Sequence, residues 1–160
     1  MNSEENIGIL TPQGKIRLQE ELDHLLKVER PKNKEELALA RSQGDLSENA
    51  DYDAARNRQA EIEGRIKQIN YMLDNFRVVA KDEGDNKTVQ IGSTVTVTRL
   101  DKKRQIEFIL VGTSEVDLNK KPQRLGNDSP LGHACLGHAV GDEVTVQGPV
   151  AYTVHIDEIK

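Results

Sequence analysis

Tryptophan is absent, and aromatic residues make up only 3% of the 160-residue chain. So few rings leave little to line an apolar substrate groove, and any core must be thin and aliphatic, which elongated helical packing suits better than one large globule. The single cysteine, Cys135, rules out an internal disulfide and fits a reducing compartment. No apolar run approaches the length of a membrane span. The acidic start, Met1-Asn2-Ser3-Glu4-Glu5-Asn6, lacks the basic, then apolar, pattern of a secretion signal. A soluble, cytoplasmic protein is expected. An excess of positive charge is missing too: the net charge is −5, so coating nucleic acid through bulk electrostatics is excluded, although local basic patches are not. Nor is there a nucleotide-binding glycine loop, a nucleophile elbow or a Ser-His-Asp order.

What is present divides at about residue 77. Thr11-Pro12 reads as a helix start, Thr as the cap and Pro at the first position. Leu18, Leu22 and Leu25 or Leu26 then recur at helical steps, and the pattern resumes at Leu37 and Ala40. Pro31 lies between, where it removes a backbone donor, so a kink or break is expected near Arg30-Pro31. A second helical stripe runs through Tyr52, Ala55, Gln59, Ile62, Ile66, Ile69, Leu73 and Phe76, a coiled-coil seam with one polar position. Two such helices joined by a turn at Gly44 should pair antiparallel, some thirty residues giving a hairpin about 45 Å long. A spacer or dimerisation coiled coil is the commoner use of that pattern.

The turn is Gly44-Asp45-Leu46-Ser47-Glu48-Asn49. Gly44 suits the left-handed position that ends a helix. Asp45 is placed to cap the next helix, with Glu48 three residues on as its capping-box partner. Two carboxylates three apart on a first turn can instead hold a divalent cation together. Spacing alone leaves both uses open, and a carboxylate engaged as a cap is less free for metal.

After Phe76 helical periodicity gives way to β-branched alternation. Thr94–Thr98, Ile106–Val111, Glu143–Val146 and Tyr152–Ile156 read as strands, with a short helix from Ser129-Pro130 to about Gly137. The expected class is therefore α+β with two domains: an antiparallel helical coiled-coil hairpin over residues 1–77, carrying the acidic tip at 44–49, and a small antiparallel sheet with one helix over 78–160. His133, Cys135 and His138 lie close in sequence, but a helix turns Cys135 away from His133 and no fourth ligand accompanies them. Lys102-Lys103-Arg104 reads as a solvated hairpin turn.

Leu10-Thr11, Gly14, Glu20-Glu21-Leu22, Arg30-Pro31, Ala40-Arg41, the run from Gly44 to Tyr52 and Glu63-Gly64-Arg65-Ile66 together resemble the bacterial GreA/GreB transcript cleavage factors, nearer the GreA branch. Ser129-Pro130-Leu131-Gly132, Leu136-Gly137 and Gly141-Asp142-Glu143-Val144 resemble the family's second signature. The resemblance implies an FKBP-like C-terminal domain that docks on the rim of RNA polymerase, and a hairpin that enters the polymerase secondary channel of backtracked complexes. It implies an accessory factor rather than an enzyme, a monomer that binds no cofactor alone. Asp45 and Glu48 would share a Mg²⁺ with the polymerase and promote hydrolysis near the RNA 3′ end. Leu46, Ser47 and Asn49 at the tip, with Arg41, Arg56 and Arg58 beside it, would contact RNA or polymerase. For the arginines, ordinary pairing with Asp51, Asp53 or Glu61 is an equally available use. Asn33 departs from the family, which usually has an apolar residue there, and implies looser packing below Pro31. Without the resemblance, a hairpin arm on a small α+β domain also suits a chaperone or prolyl isomerase, or a polymerase inhibitor that blocks the channel without cleavage.

Overall fold

The computed structural model describes residues 8–44 and 49–160. Its elements, in chain order, are β1 (Ile9–Leu10), α1 (Pro12–His24), a π-helical turn (Leu25–Glu29), α2 (Arg30–Ser42), α3 (Ala50–Asn75), β2 (Arg77–Val78), β3 (Thr94–Arg99), β4 (Arg104–Val111), a 3-10 turn (Thr113–Glu115), β5 (Gln123–Gly126), α4 (Pro130–Cys135), β6 (Glu143–Val146) and β7 (Tyr152–Ile159). They form two compact units. One is helical, Lys15–Asn75; the other joins residues 8–14 to Phe76–Lys160.

The division therefore differs from a cut at residue 77, because residues 8–14 fold with the sheet unit. Ile9 and Leu10 pair in parallel with Arg77 and Val78, and Leu10 is buried. Thr11 caps α1 as its sequence suggests, accepting from the Gly14 N–H at 3.0 Å. A capping box would put a Glu at position 14 to satisfy the Thr11 N–H. Glycine stands there, and Glu115 takes the role from a hundred residues away: its Oε2 accepts from the Thr11 N–H at 2.8 Å and its Oε1 from the Thr11 hydroxyl at 2.5 Å. A Cβ on Gly14 would lie within 3 Å of that carboxylate, so the missing side chain is what admits it.

In the helical unit α2 and α3 run antiparallel. Leu37 and Ala40 of α2 are buried with Ala55, Ile62, Ile66, Ile69 and Met72 of α3, and Leu18 of α1 is buried too. Pro31 produces no break. It sits in the first turn of α2, and the turn before it widens so that the Arg30 N–H donates to the carbonyl of Leu25, five residues back. Leu25, half-buried, faces inward, and Leu26 is exposed.

The seam departs from expectation at three positions. Gln59 is exposed, and the polar seam position belongs instead to Asn33, only 4% exposed, whose Nδ2 donates to the Ala55 carbonyl at 3.0 Å. Its amide is satisfied, so Asn33 bonds the helices where looser packing was expected. At the far end Met72 is buried and Leu73 only half so, because a 3.6-residue turn drifts from a strict alternation of three and four. Phe76 lies beyond α3, its ring against the spot where a Gly8 side chain would be.

Three Arg–Glu pairs flank the seam: Arg65 to Glu21 (2.6 and 2.8 Å), Arg30 to Glu63 (both contacts 2.8 Å) and Arg58 to Glu29 (2.6 Å). Hydrogen bonding to the guanidinium holds Glu21, Glu29 and Glu63 each below the ordinary glutamate value of 4.5. A carboxylate depressed in the folded state stabilises it fully above its unfolded pKa and ceases to do so as pH falls through the folded one. The urea midpoint is therefore expected to hold between neutral pH and pH 5, then fall below about pH 4.5. Glu21→Gln should shrink that fall, as should high salt, since these pairs are largely solvated. An acid limb unchanged by Glu21→Gln would remove the pair from the account.

The second unit is built on a five-stranded sheet in the order β5-β4-β3-β7-β6. It is mixed, not antiparallel throughout: β5 runs parallel to β4, pairing Phe108 with Gln123 and Val111 with Gly126. The alternation in β3 puts Val95 and Val97 on the buried face and Thr94, Thr96 and Thr98 on the other. Phe108, Leu110, Val144, Val146, Val154 and Ile156 join the same core, and α4 adds Leu131 and Cys135. Ser129 caps α4, accepting from the Gly132 N–H at 3.1 Å, and Gly137 follows at φ 84°. Lys103 takes the left-handed position, φ 51°, in the turn before β4.

Candidate functional site at the turn of the hairpin

The turn is tied together from its flanks. Gly44, at φ 115°, follows the end of α2 in a conformation that a side chain disfavours. Asn49 does two jobs. Its Oδ1 accepts from the Tyr52 N–H at 3.0 Å, capping α3, and its Nδ2 donates to the carbonyl of Ala40 at 2.7 Å, reaching back to the last turns of α2. Helix α3 thus starts at Ala50 with Asn49 as cap, four residues later than a cap at Asp45 would start it. The physical reason is reach: asparagine carries both a donor and an acceptor, so it can cap one helix and bond the other at once. Asp45, Leu46, Ser47 and Glu48 lie outside the described residues.

Beside the turn, Tyr52 gathers two cations. The guanidinium carbons of Arg41 and Arg56 lie 5.8 and 6.0 Å from its ring centroid, and Arg56 Nη1 donates to the phenol oxygen at 3.2 Å. Hydrogen bonds from Arg56, then Arg41, hold the phenol below its ordinary value by stabilising the phenolate. Among the described residues neither arginine pairs with a carboxylate. Arg58 does: it contacts Glu29 at 2.6 Å and Glu61 at 3.8 Å. Of the three arginines singled out in the sequence, two stand together beside the turn and the third is held by α3's own acid and the π-helical turn. Tyr52 was read from the sequence as a seam residue; its position three after Asn49 and four before Arg56 was the available sign of its second role.

Elsewhere the chemistry is sparse. Cys135 is buried in the sheet core, which pushes its thiol up to about 11, and His133 on the same short helix is exposed. His138 lies 3.4 Å from Asp142. Among the described residues no three metal-ligating side chains converge, and no helix is long and apolar enough to cross a membrane.

The described structure is of a two-unit α+β class, in which a helical hairpin carries a capped turn with two cations gathered on one ring beside it. Comparison with known proteins says which kind. Residues 8–78 match the family described as "Transcription elongation factor, N-terminal", and residues 84–160 match "Transcription elongation factor, GreA/GreB, C-term". The chain is 45% identical over 152 residues to a transcription elongation factor GreA of Mesoplasma florum, covering 94% of this chain and 96% of that one. A GreA of Acholeplasma laidlawii is 46% identical over 138 residues, covering 86% and 85%. Among solved structures the GreA factor homolog 1 of Thermus thermophilus is 25% identical, with a TM-score of 0.42 and coverage of 97% and 99%. The chain belongs to the GreA/GreB family of transcription elongation factors.

Proposed function

We propose that this protein is a transcript cleavage factor: in the cytoplasm it enters the secondary channel of bacterial RNA polymerase with its hairpin and stimulates hydrolysis of the RNA 3′ segment in backtracked complexes. The observation that carries the reading is the capping of α3 by Asn49, because it relieves Asp45 and Glu48 of the structural duty that their spacing otherwise suggests. Membership of a transcription elongation factor family supports RNA polymerase as the partner.

Mg²⁺ favours octahedral oxygen ligation, and one or two protein carboxylates usually share it with waters and phosphates. Two carboxylates at a turn make a poor site alone. Facing acidic residues and an RNA phosphate on the polymerase, Asp45 and Glu48 would complete a shared site for in-line attack by water on a phosphodiester. The factor would thus lend half of an active site, with Leu46, Ser47 and Asn49 adjoining it. Arg41 and Arg56 suit the RNA backbone, which draws arginine without regard to sequence. Arg58 would join them from its place beside Glu29, to which it is bonded at 2.6 Å. The sheet unit would dock on the polymerase rim.

The test is a stalled, backtracked elongation complex with 3′-labelled RNA and Mg²⁺. Release of short labelled fragments on adding the protein is the expected result. Stalling without fragments would replace this reading with a channel-blocking inhibitor.

A further inference from the structure

Tyr52 links the two arginines assigned to RNA. Arg56 stands one turn after it on α3, whereas Arg41 comes from α2, so the spacing of their guanidinium groups is a tertiary feature that local helix geometry does not set. The ring is itself anchored. Its backbone N–H is held by Asn49, which also bonds the Ala40 carbonyl, so a line of hydrogen bonds runs from α2 through Asn49 and Tyr52 to Arg56.

The kind of partner holding these cations matters. A carboxylate neutralises an arginine, as Glu29 does Arg58. A neutral ring and a phenol oxygen orient a guanidinium while leaving its charge available to a third group. The lowered pKa of the phenol reports that both cations act on the same point. Two guanidinium forks gathered on one ring suit phosphate oxygens of a single nucleic-acid strand.

We propose that Tyr52 is a positioning residue: it holds Arg41 and Arg56 at the separation at which both engage phosphates of the extruded RNA, fixing the scissile bond opposite the tip. This rests on the cleavage-factor reading above. Tyr52 acts through the arginines and needs no contact with the reacting atoms. Its effect belongs to the maximal cleavage rate, not to affinity for polymerase.

The experiment titrates the whole protein into the backtracked complex and reads maximal rate and half-saturating concentration separately. Tyr52→Leu is expected to lower the maximal rate about tenfold, with half-saturation moving less than about threefold. Tyr52→Phe keeps the ring and loses about threefold, and that loss is expected to shrink in an Arg56→Ala background, because the hydroxyl is bonded to that guanidinium at 3.2 Å. Native-like cleavage by Tyr52→Leu overturns the positioning role, as does a Tyr52→Phe loss undiminished without Arg56. Should Tyr52→Leu lose helical circular dichroism, the double-mutant comparison on the milder Tyr52→Phe decides. A native protein that releases no fragments defeats the cleavage reading and this inference together, whereas native cleavage with a neutral Tyr52→Leu defeats this inference alone.

Discussion

Cleavage of backtracked RNA is expected to fall on the order of 100-fold or more when Asp45→Asn and Glu48→Gln are combined, with binding to the elongation complex changed less than about threefold. Both replacements preserve shape and remove charge, so they separate metal ligation from packing. An amide can still accept a hydrogen bond at a helix cap, and α3 is capped by Asn49 in any case, so unfolding by urea should not distinguish the variant from the native protein. Mg²⁺ loses far more, since carboxylate charge is what offsets its hydration. Raising Mg²⁺ should partly restore cleavage by either single variant and restore little in the double. The measurement is the rate of fragment release at saturating factor. Equal rates for native and double variant would end the proposed role of the tip, and loss of binding along with cleavage would turn it into a docking contact.

Gly112→Ala is expected to destabilise the sheet unit by about 2 kcal/mol, within the usual range for overpacking. The backbone there is not the reason, because φ is −71° and any residue adopts it. Space is. A Cβ would lie 2.1 Å from the carbonyl oxygen of Ile9 and 3.0 Å from its carbon, and backbone of a paired strand cannot swing aside like the end of a side chain. The entropy that alanine removes from the unfolded chain is worth only about 0.4–1 kcal/mol in the opposite direction, so the clash wins. Gly64→Ala provides the contrast. That glycine sits inside α3 with open space where its Cβ would be, and alanine is favoured over glycine in a helix by about 1 kcal/mol. Urea unfolding of the two variants should therefore move in opposite directions, and two shifts of the same sign would mean that the approach of β1 to Gly112 is not a constraint.

Much of the architecture could be read from the chain because it is local. Thr11-Pro12 and Ser129-Pro130 start helices where they should, each with a hydroxyl cap and a proline that sacrifices only a spare donor. The alternation of Thr and Val in β3 marks which face is buried. Two-residue strands carry too few positions for a period, which hides β1 and β2, and β5, Gln123-Arg124-Leu125-Gly126, has no β-branched residue to mark it, so the parallel edge of the sheet goes unread with it. At the hairpin turn two acceptable caps stand four residues apart, Asp45 and Asn49. Only the Ala40 carbonyl, supplied by the other helix, makes Asn49 the better one. Asn33 and Gln59 present the same difficulty: the polar seam position is chosen by a carbonyl across the interface, not by helical spacing. The pairing of Arg41 and Arg56 through Tyr52 is likewise invisible to spacing along one helix, since one member comes from the other.

The contact of Glu115 with Thr11 has a consequence for how the protein is made. A ribosome delivers the start of this chain first, yet the first turn of α1 receives its closing acceptor from a residue about a hundred positions later, and β1 needs β2 before it has a neighbour. During synthesis the hairpin helices can pair as soon as Asn75 has emerged, because their seam, their cap and their ion pairs all lie between Lys15 and Asn75. Residues 8–14 must wait. Residues 8–14, translated before the hairpin, are among the last to reach their final place, and a nascent chain released before Glu115 would carry a paired hairpin and an unfinished sheet unit.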